Sequence, residues 1–138
     1  MRFLDTNILL YSISNARDES SKRDIAVALL DRDDCALSVQ VLAEFYVQAT
    51  RATRRDPLPH EIAVGFIETW LRFPVQEITL SIFTTALEIK AAHRLSYWDS
   101  AIIAAARALD CRELYSEDMA HGFEVEGLRI VNPFSGRR

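Results

Sequence analysis

Four carboxylates are notable for where they fall along the chain: Asp5, Glu44, Asp99 and Asp118. Asp5 closes a short apolar run, Phe3-Leu4, and Asp118 follows another, Leu114-Tyr115-Ser116. Glu44 falls in the second turn of one helical stretch and Asp99 in the first turn of another. Gathered at one place, such acids repel: two unit charges about 4 Å apart cost roughly 4 kcal/mol at an effective dielectric of 20. The cluster is tolerable if some acids take up protons, if cationic side chains pair with them, or if a divalent cation sits among them. An all-oxygen set without His or Cys suits Mg²⁺ or Mn²⁺ and disfavours Zn²⁺. A hard cation on carboxylates, with water positions open, is suited to activating water and neutralising the charge of a phosphodiester.

Each acid also has an ordinary structural role open to it. Asp5, within Leu4-Asp5-Thr6-Asn7, can be a turn former that bonds the following backbone. Glu44 shares a helix face with Gln40 and Gln48 at i−4 and i+4, which a solvated stripe would also give. Ser96-Tyr97-Trp98-Asp99 reads as a capping box in which Asp99 bonds back to the Ser96 amide. Asp118 stands beside Glu117, a competing carboxylate in the same polar loop. The joint pattern, not any single acid, points to chemistry.

Positioning these acids requires an open parallel sheet, whose ligands bind at the carboxyl ends of the strands near the reversal of strand order. Short apolar runs alternate with longer stretches of helical period, as that architecture demands. The sequence predicts strands at Arg2–Asp5, Cys35–Leu37, Val75–Leu80, Glu113–Ser116 and Leu128–Val131. The turn formers Thr6-Asn7 stop the first strand, and a polar stretch over Ser12–Asp18 follows. Helices are expected over Ser21–Arg32, from a Ser38 cap to about Arg54, and over His60–Arg72, Ser81–Arg94 and Tyr97–Leu109. No internal repeat, linker or low-complexity tract interrupts the chain, so one domain over residues 1–138 is expected, with strands covered on both faces.

Composition agrees. A chain of 138 residues, 49% hydrophobic and 26% charged, suits one globular core. No apolar stretch is long enough to span a bilayer, and the opening Met1-Arg2-Phe3-Leu4 lacks the pattern of a secretory leader, so a soluble cytoplasmic protein without membrane contact is expected. Cys35 and Cys111 belong to no zinc motif and read as buried free thiols. The four glycines, Gly65, Gly122, Gly127 and Gly136, form neither a dinucleotide fingerprint nor a Walker loop. Sixteen Lys and Arg against twenty Asp and Glu give a net charge of −4, at first sight unfavourable for a nucleic-acid partner.

The remaining candidates are weaker. Arg51, Arg54 and Arg55, with Arg17, Lys22 and Arg23 further off, can guide a nucleic-acid backbone, although cations at a helix C-terminus are favoured in any case. Arg137 and Arg138 read as a solvated tail, and His60, His93 and His121 fit no metal motif. Tyr97 and Trp98 flank Asp99 and either stack on a base or pack. Phe66, Trp70 and Phe73 either enter the core or form a homodimer face, and Ala101–Leu109 reads as a core helix.

The combination of Leu-Asp-Thr-Asn closing the first strand, the helix Ser-Val-Gln-Val-Leu-Ala-Glu-Phe, Tyr-Trp-Asp-Ser-Ala-Ile-Ile-Ala-Ala-Ala, and Leu-Tyr-Ser-Glu-Asp resembles the PIN-domain ribonucleases of the VapC toxin kind over essentially the whole chain. The resemblance implies a three-layer α/β/α sandwich with a mostly parallel central sheet and an acidic pocket that binds Mg²⁺ or Mn²⁺ and hydrolyses RNA phosphodiesters. By motif position, Asp5, Glu44, Asp99 and Asp118 are the catalytic and metal-binding acids, with Thr6, Asn7 and Ser116 as polar support. Ser116 stands where many members have Thr, and keeps the hydroxyl. Asp5, Asp99 and Glu44 are expected to hold one ion, and Asp118 to help hold a second or to position water. The resemblance further implies a cognate antitoxin partner and a homodimer.

Two other acid-based families fit less well. A haloacid-type phosphatase needs a second acid two residues after the first, where Asn7 stands. A receiver-type phosphoacceptor needs paired acids and a strand-end Lys, but Leu4 precedes Asp5 and the only lysines are Lys22 and Lys90. A catalytically weak PIN-fold module that binds RNA or a partner is the alternative that the residues leave open.

Overall fold

Short apolar segments separated by helices build the sheet in the computed structural model, which describes residues 1–135. The strands are β1 (Arg2–Leu4), β2 (Cys35–Ser38), β3 (Val75–Gln76), β4 (Glu113–Tyr115), β5 (Glu124–Val125) and β6 (Leu128–Val131). Their spatial order is β3-β2-β1-β4-β6-β5, parallel throughout except for β5, which runs antiparallel to β6. Phe3-Leu4 in β1 and Cys35-Ala36-Leu37 in β2 are buried consecutively rather than alternately, because both faces of the sheet are covered there.

The helices are α1 (Thr6–Ser12), α2 (Ser20–Leu30), α3 (Val39–Thr50), α4 (His60–Trp70), α5 (Leu80–His93) and α6 (Tyr97–Ala108). Small polar side chains start the helices that matter most here. Ser38 Oγ accepts from the Val41 amide at 3.2 Å, Thr79 Oγ1 from the Ile82 amide at 3.1 Å, and Ser96 Oγ from the Asp99 amide at 3.1 Å. Helix α6 is buried without interruption from Ser100 to Ala106, packed on β2, β3, β4 and β6 with α5 against it. Its alanines let sheet and helix approach closely. Helices α1 to α4 form the other group, linked α1 to α2, α1 to α3 and α3 to α4. The result is the expected α/β/α sandwich with a mostly parallel sheet.

Several boundaries differ from expectation, each for a local reason. Asp5 does not extend β1. It is the N-cap of α1, where the sequence predicts only a turn and a polar stretch, and Thr6-Asn7 begin that helix. Helix α3 stops at Thr50, short of Arg54, because Arg51 takes an extended conformation and turns follow. Strand β3 is two residues long instead of reaching Leu80, since Thr79 already caps α5. Strand β5 was not expected; Glu126 and Gly127, with φ of 55° and 84°, reverse the chain into β6 as a primed hairpin turn does.

Trp70 and Phe73 are buried, Phe45 meets Trp70 edge-on at 4.8 Å, and Phe66 stacks on it at 6.0 Å, so this aromatic set belongs to the core. Cys35 and Cys111 are buried free thiols, and burial pushes both up to about 11. Among the described residues no helix is long and apolar enough to cross a membrane. Gly136, Arg137 and Arg138 lie outside the described residues.

Candidate active site

Strand β1 lies between β2 and β4, so the order of the sheet reverses there and a crevice opens at the carboxyl ends of β1 and β4. Leu4 pairs with Tyr115 across the two strands, and the Asp5 amide donates to the Tyr115 carbonyl at 2.9 Å. Asp5 and Ser116 therefore leave the sheet side by side. Ser116 Oγ donates to Asp5 Oδ2 at 2.7 Å, and the Thr6 amide donates to Oδ1 at 2.7 Å.

The other acids are tied in by the residues that follow these strands. Thr6 Oγ1 donates to Glu44 Oε1 at 2.8 Å, drawing the middle of α3 to the end of β1. Gln40 Nε2 reaches the second Glu44 oxygen at 3.3 Å, so the polar stripe expected on α3 exists, but one end of it is anchored at the crevice. Asn7 Nδ2 donates to Asp118 Oδ2 at 3.1 Å, and the Asp118 amide donates to Ser116 Oγ at 3.1 Å. Ser116, Thr6 and Asn7 thus each orient one carboxylate. Asp99 enters from the first turn of α6; Ser96 caps that turn, whereas the reciprocal bond of a capping box, from the Ser96 amide to the Asp99 carboxylate, is not formed. Asp5, Glu44, Asp99 and Asp118 line one cleft of ≈ 240 Å³, together with Thr6, Asn7, Leu10, Gln48, Trp98 and Ile102.

Neighbouring Glu117 points elsewhere. It accepts from the Tyr11 hydroxyl at 2.6 Å and forms an ion pair with Lys22. Burial alone would raise its carboxyl, but the Lys22 ammonium and the Tyr11 hydroxyl hold it below the ordinary value. Asp118 is therefore the acid at the cleft, and Lys22 is already committed to Glu117. The basic run is divided as well. Arg54 and Arg55 line a groove of ≈ 660 Å³ that shares Asn7, Leu10 and Asp118 with the acid cleft, while Arg51 stands on its other side. The three histidines are engaged outside the cleft: His60 with the Tyr46 hydroxyl at 2.9 Å, His93 with Glu126 at 3.3 Å, and His121 with the Asn132 amide at 3.0 Å.

Electrostatically the cleft is strained. Asp5 is 5% exposed, and its carboxyl is pushed up to about 6, chiefly by burial. Bonds from Ser116 and Thr6 oppose that rise, and the charges of Asp118 and Glu44 add to it. Asp99 is also raised, by burial first, against the Ser96 hydroxyl, and further by Asp118 and Glu44. Among the described residues none of the four acids forms a salt bridge. No three His, Cys, Asp or Glu side chains among them converge closely enough to hold an ion as they stand. Four unpaired carboxylates around one cleft, with no nitrogen or sulfur donor, nevertheless form a donor set that fits a hard divalent cation.

Sequence reasoning did not place Leu10 and Ile102 in the cleft, and it read Gln48 as part of a solvated stripe. Ile102 carried a signal, lying one helical turn after Asp99; Leu10 carried none, because α1 itself was not anticipated.

The PIN-domain family model matches residues 2–121. No curated protein matches the sequence. Among solved structures, the chain is similar to a toxin-antitoxin complex from Klebsiella pneumoniae, with a TM-score of 0.70 at 20% identity over 97% of this chain and 98% of that one. It is similar to Mycobacterium tuberculosis VapC20, described as a sarcin-ricin loop cleaving toxin, with a TM-score of 0.66 at 19% identity over 86% and 92%. It is similar to the DNA-bound VapBC of Salmonella typhimurium, with a TM-score of 0.64 at 18% identity over 94% and 95%. At these identities the likeness is one of fold.

Proposed function

The chain belongs to the PIN-domain family, and from that premise we propose that it is a ribonuclease dependent on Mg²⁺ or Mn²⁺ and the toxin of a toxin-antitoxin pair, built as a single domain over residues 1–138. The observation that carries this reading is the gathering of Asp5, Glu44, Asp99 and Asp118 around one cleft at the strand ends, with no cationic side chain among the described residues paired to them. Those four acids would hold the ion, which when bound supplies charge neutralisation at the phosphodiester and acidifies water. The chain's own residues do the rest. Ser116 Oγ and the Thr6 amide each occupy one Asp5 oxygen and fix the carboxylate plane, leaving a further lone pair on each oxygen. Thr6 holds Glu44 and Asn7 holds Asp118 against mutual repulsion. With no ion bound, burial pushes the Asp5 carboxyl up to about 6, and a divalent cation in the cleft would lower it by favouring the ionised form that could act as a ligand.

Arg54 and Arg55, lining the groove continuous with the cleft, are proposed to receive the RNA backbone. An antitoxin partner is proposed with the support of the fold's likeness to the Klebsiella toxin-antitoxin complex and the Salmonella VapBC, and a homodimer is proposed from the family resemblance alone. A second reading, a PIN-fold module that binds RNA or a partner with little turnover, draws on the acids lining the cleft without converging on one point.

RNA incubated with the chain and Mn²⁺ separates the two. Cleavage is expected that is abolished by EDTA and by Asp5→Asn or Asp118→Asn with the fold intact by circular dichroism. Glu117→Gln, which touches only the Lys22 and Tyr11 contacts, is expected to retain cleavage. No cut in a broad panel of structured RNAs, or equal activity of Asp5→Asn, refutes the nuclease reading.

A further inference from the structure

The two tryptophans of the chain have opposite fates. Trp70 is 4% exposed in the core, whereas Trp98, directly before Asp99, is 62% exposed. An indole left in water at the lip of an acidic cleft gains nothing from the hydrophobic effect, yet this one is braced. Gln40 Nε2 donates to the Trp98 backbone carbonyl at 3.3 Å, holding the backbone from which the ring projects, and Tyr97 meets the ring edge-on at 4.9 Å. Tyr97 in turn is tilted against Phe83 at 5.9 Å.

Beside this indole is a second depression of ≈ 450 Å³. Its floor is Trp98, Ala43, Val47 and Ile78, of which Val47 and Ile78 are 58% and 65% exposed. Gln40, Gln48 and Arg51 form its polar margin. It adjoins the acid cleft, since Glu44, Gln48 and Trp98 line both.

We propose that this depression is the seat of one unpaired nucleobase of the RNA, stacked on Trp98, next to the phosphate bound at the carboxylates. The proposal rests on the nuclease reading above. Complementarity selects the occupant. A ligand spanning both depressions must bring an anion to a divalent ion on the carboxylates, a flat apolar body to Trp98, edge donors and acceptors to two amides, and a second anion toward Arg51. A nucleotide flanked by its two phosphates carries these groups in that order. A base must be unstacked from its neighbours to enter, so the substrate segment is single-stranded, a loop or a bulge. Stacking on an aromatic plane tolerates any base, leaving the Gln48 amide and the Gln40 carbonyl oxygen, whose Nε2 is taken by Glu44 and the Trp98 carbonyl, to discriminate among base edges.

The test uses the whole chain and a phosphorothioate-linked single-stranded oligoribonucleotide, compared with an abasic oligomer of equal length and charge. The base-bearing oligomer is expected to quench Trp98 fluorescence and the abasic one is not. Trp98→Ala is expected to weaken binding of the base-bearing oligomer between about 5- and 100-fold and leave the abasic one unchanged, while Trp98→Phe restores most of the affinity. In cleavage the same Trp98→Ala loss is expected in KM more than in kcat. The residue is exposed, so its truncation spares the core, and an unchanged melting temperature verifies this. Equal binding of both oligomers, or a Trp98→Ala chain that binds and cleaves as the wild type does, overturns the seat. So does a Trp98→Ala chain that turns from dimer to monomer with RNA affinity intact, which would make this face a contact between two copies. Cleavage that depends on Asp5 but not on Trp98 removes the seat alone. Absence of both RNA binding and cleavage removes the nuclease reading with it.

Discussion

A carboxyl that is 5% exposed and has no cationic partner among the described residues binds its proton more tightly in the folded chain than in the unfolded one. Asp5 is raised from 3.8 to about 6, so its contribution to stability is fully present below about pH 3.8 and is lost as pH rises through about 6. The metal-stripped protein should therefore be less stable at pH 7.5 than this group alone would allow at pH 4, by roughly 1–3 kcal/mol. Asp5→Asn removes the titration. In urea unfolding of metal-free protein, its stability relative to wild type should rise by that amount between pH 4 and pH 7.5; a difference independent of pH would show that Asp5 is not strained by ionisation. Mn²⁺ at pH 7.5 should close the gap by stabilising the wild type only. The same physics explains why Asp5 could be singled out from the sequence: an acid directly after two core residues of a strand has nowhere to go but the buried edge of the sheet. Glu117 and Asp118 could not be told apart in that way, because what separates them is a bond from Asn7 and an ion pair with Lys22, both about a hundred residues away in sequence.

Helix α3 carries Glu44 to the cleft, and its start is set by Ser38, 2% exposed, whose hydroxyl satisfies the Val41 amide. Ser38→Ala leaves that amide buried without a partner and should cost about 1 kcal/mol, a fall of about 3–5 °C in melting temperature for a domain of this size. Calorimetry checks this, and an unchanged melting point would mean that packing alone fixes the helix start. The caps at Ser38 and Ser96 are legible in sequence, as are β1, β2, β4, β6 and α6, whose apolar runs leave little choice; the cap at Thr79 is not, because it lies in a stretch expected as strand. Helix α1 was not legible, since its first residues, Thr6-Asn7, are turn formers and only the Asp5 cap makes them helical. The β5–β6 hairpin escaped notice because Glu126 holds a left-handed conformation that its residue type does not advertise. The C-terminal end of α3 was drawn too long because nothing local distinguishes Arg51, where the chain turns extended, from the helical residues before it.

Over the whole molecule, setting aside the four cleft acids leaves 16 acidic against 16 basic side chains, so the surplus of negative charge is formally equal to the cleft itself. Charge neutralisation at one place then controls affinity for a polyanion. RNA should bind poorly in EDTA and much more tightly with a divalent ion, with a shallow dependence on monovalent salt corresponding to about two or three phosphates. Filter binding across 50–200 mM salt measures both; tight binding in EDTA with a steep salt slope would locate the RNA on the arginines instead. The shape of the sheet has its own consequence. It ends on both sides in strands of only two residues, Val75–Gln76 and Glu124–Val125, and so exposes little of the backbone ladder on which a foreign strand could zip. A protein that seizes this chain is therefore expected to grip it by its helices and its cleft, a handhold of side chains, and edge-to-edge growth of copies into a continuous ribbon is disfavoured.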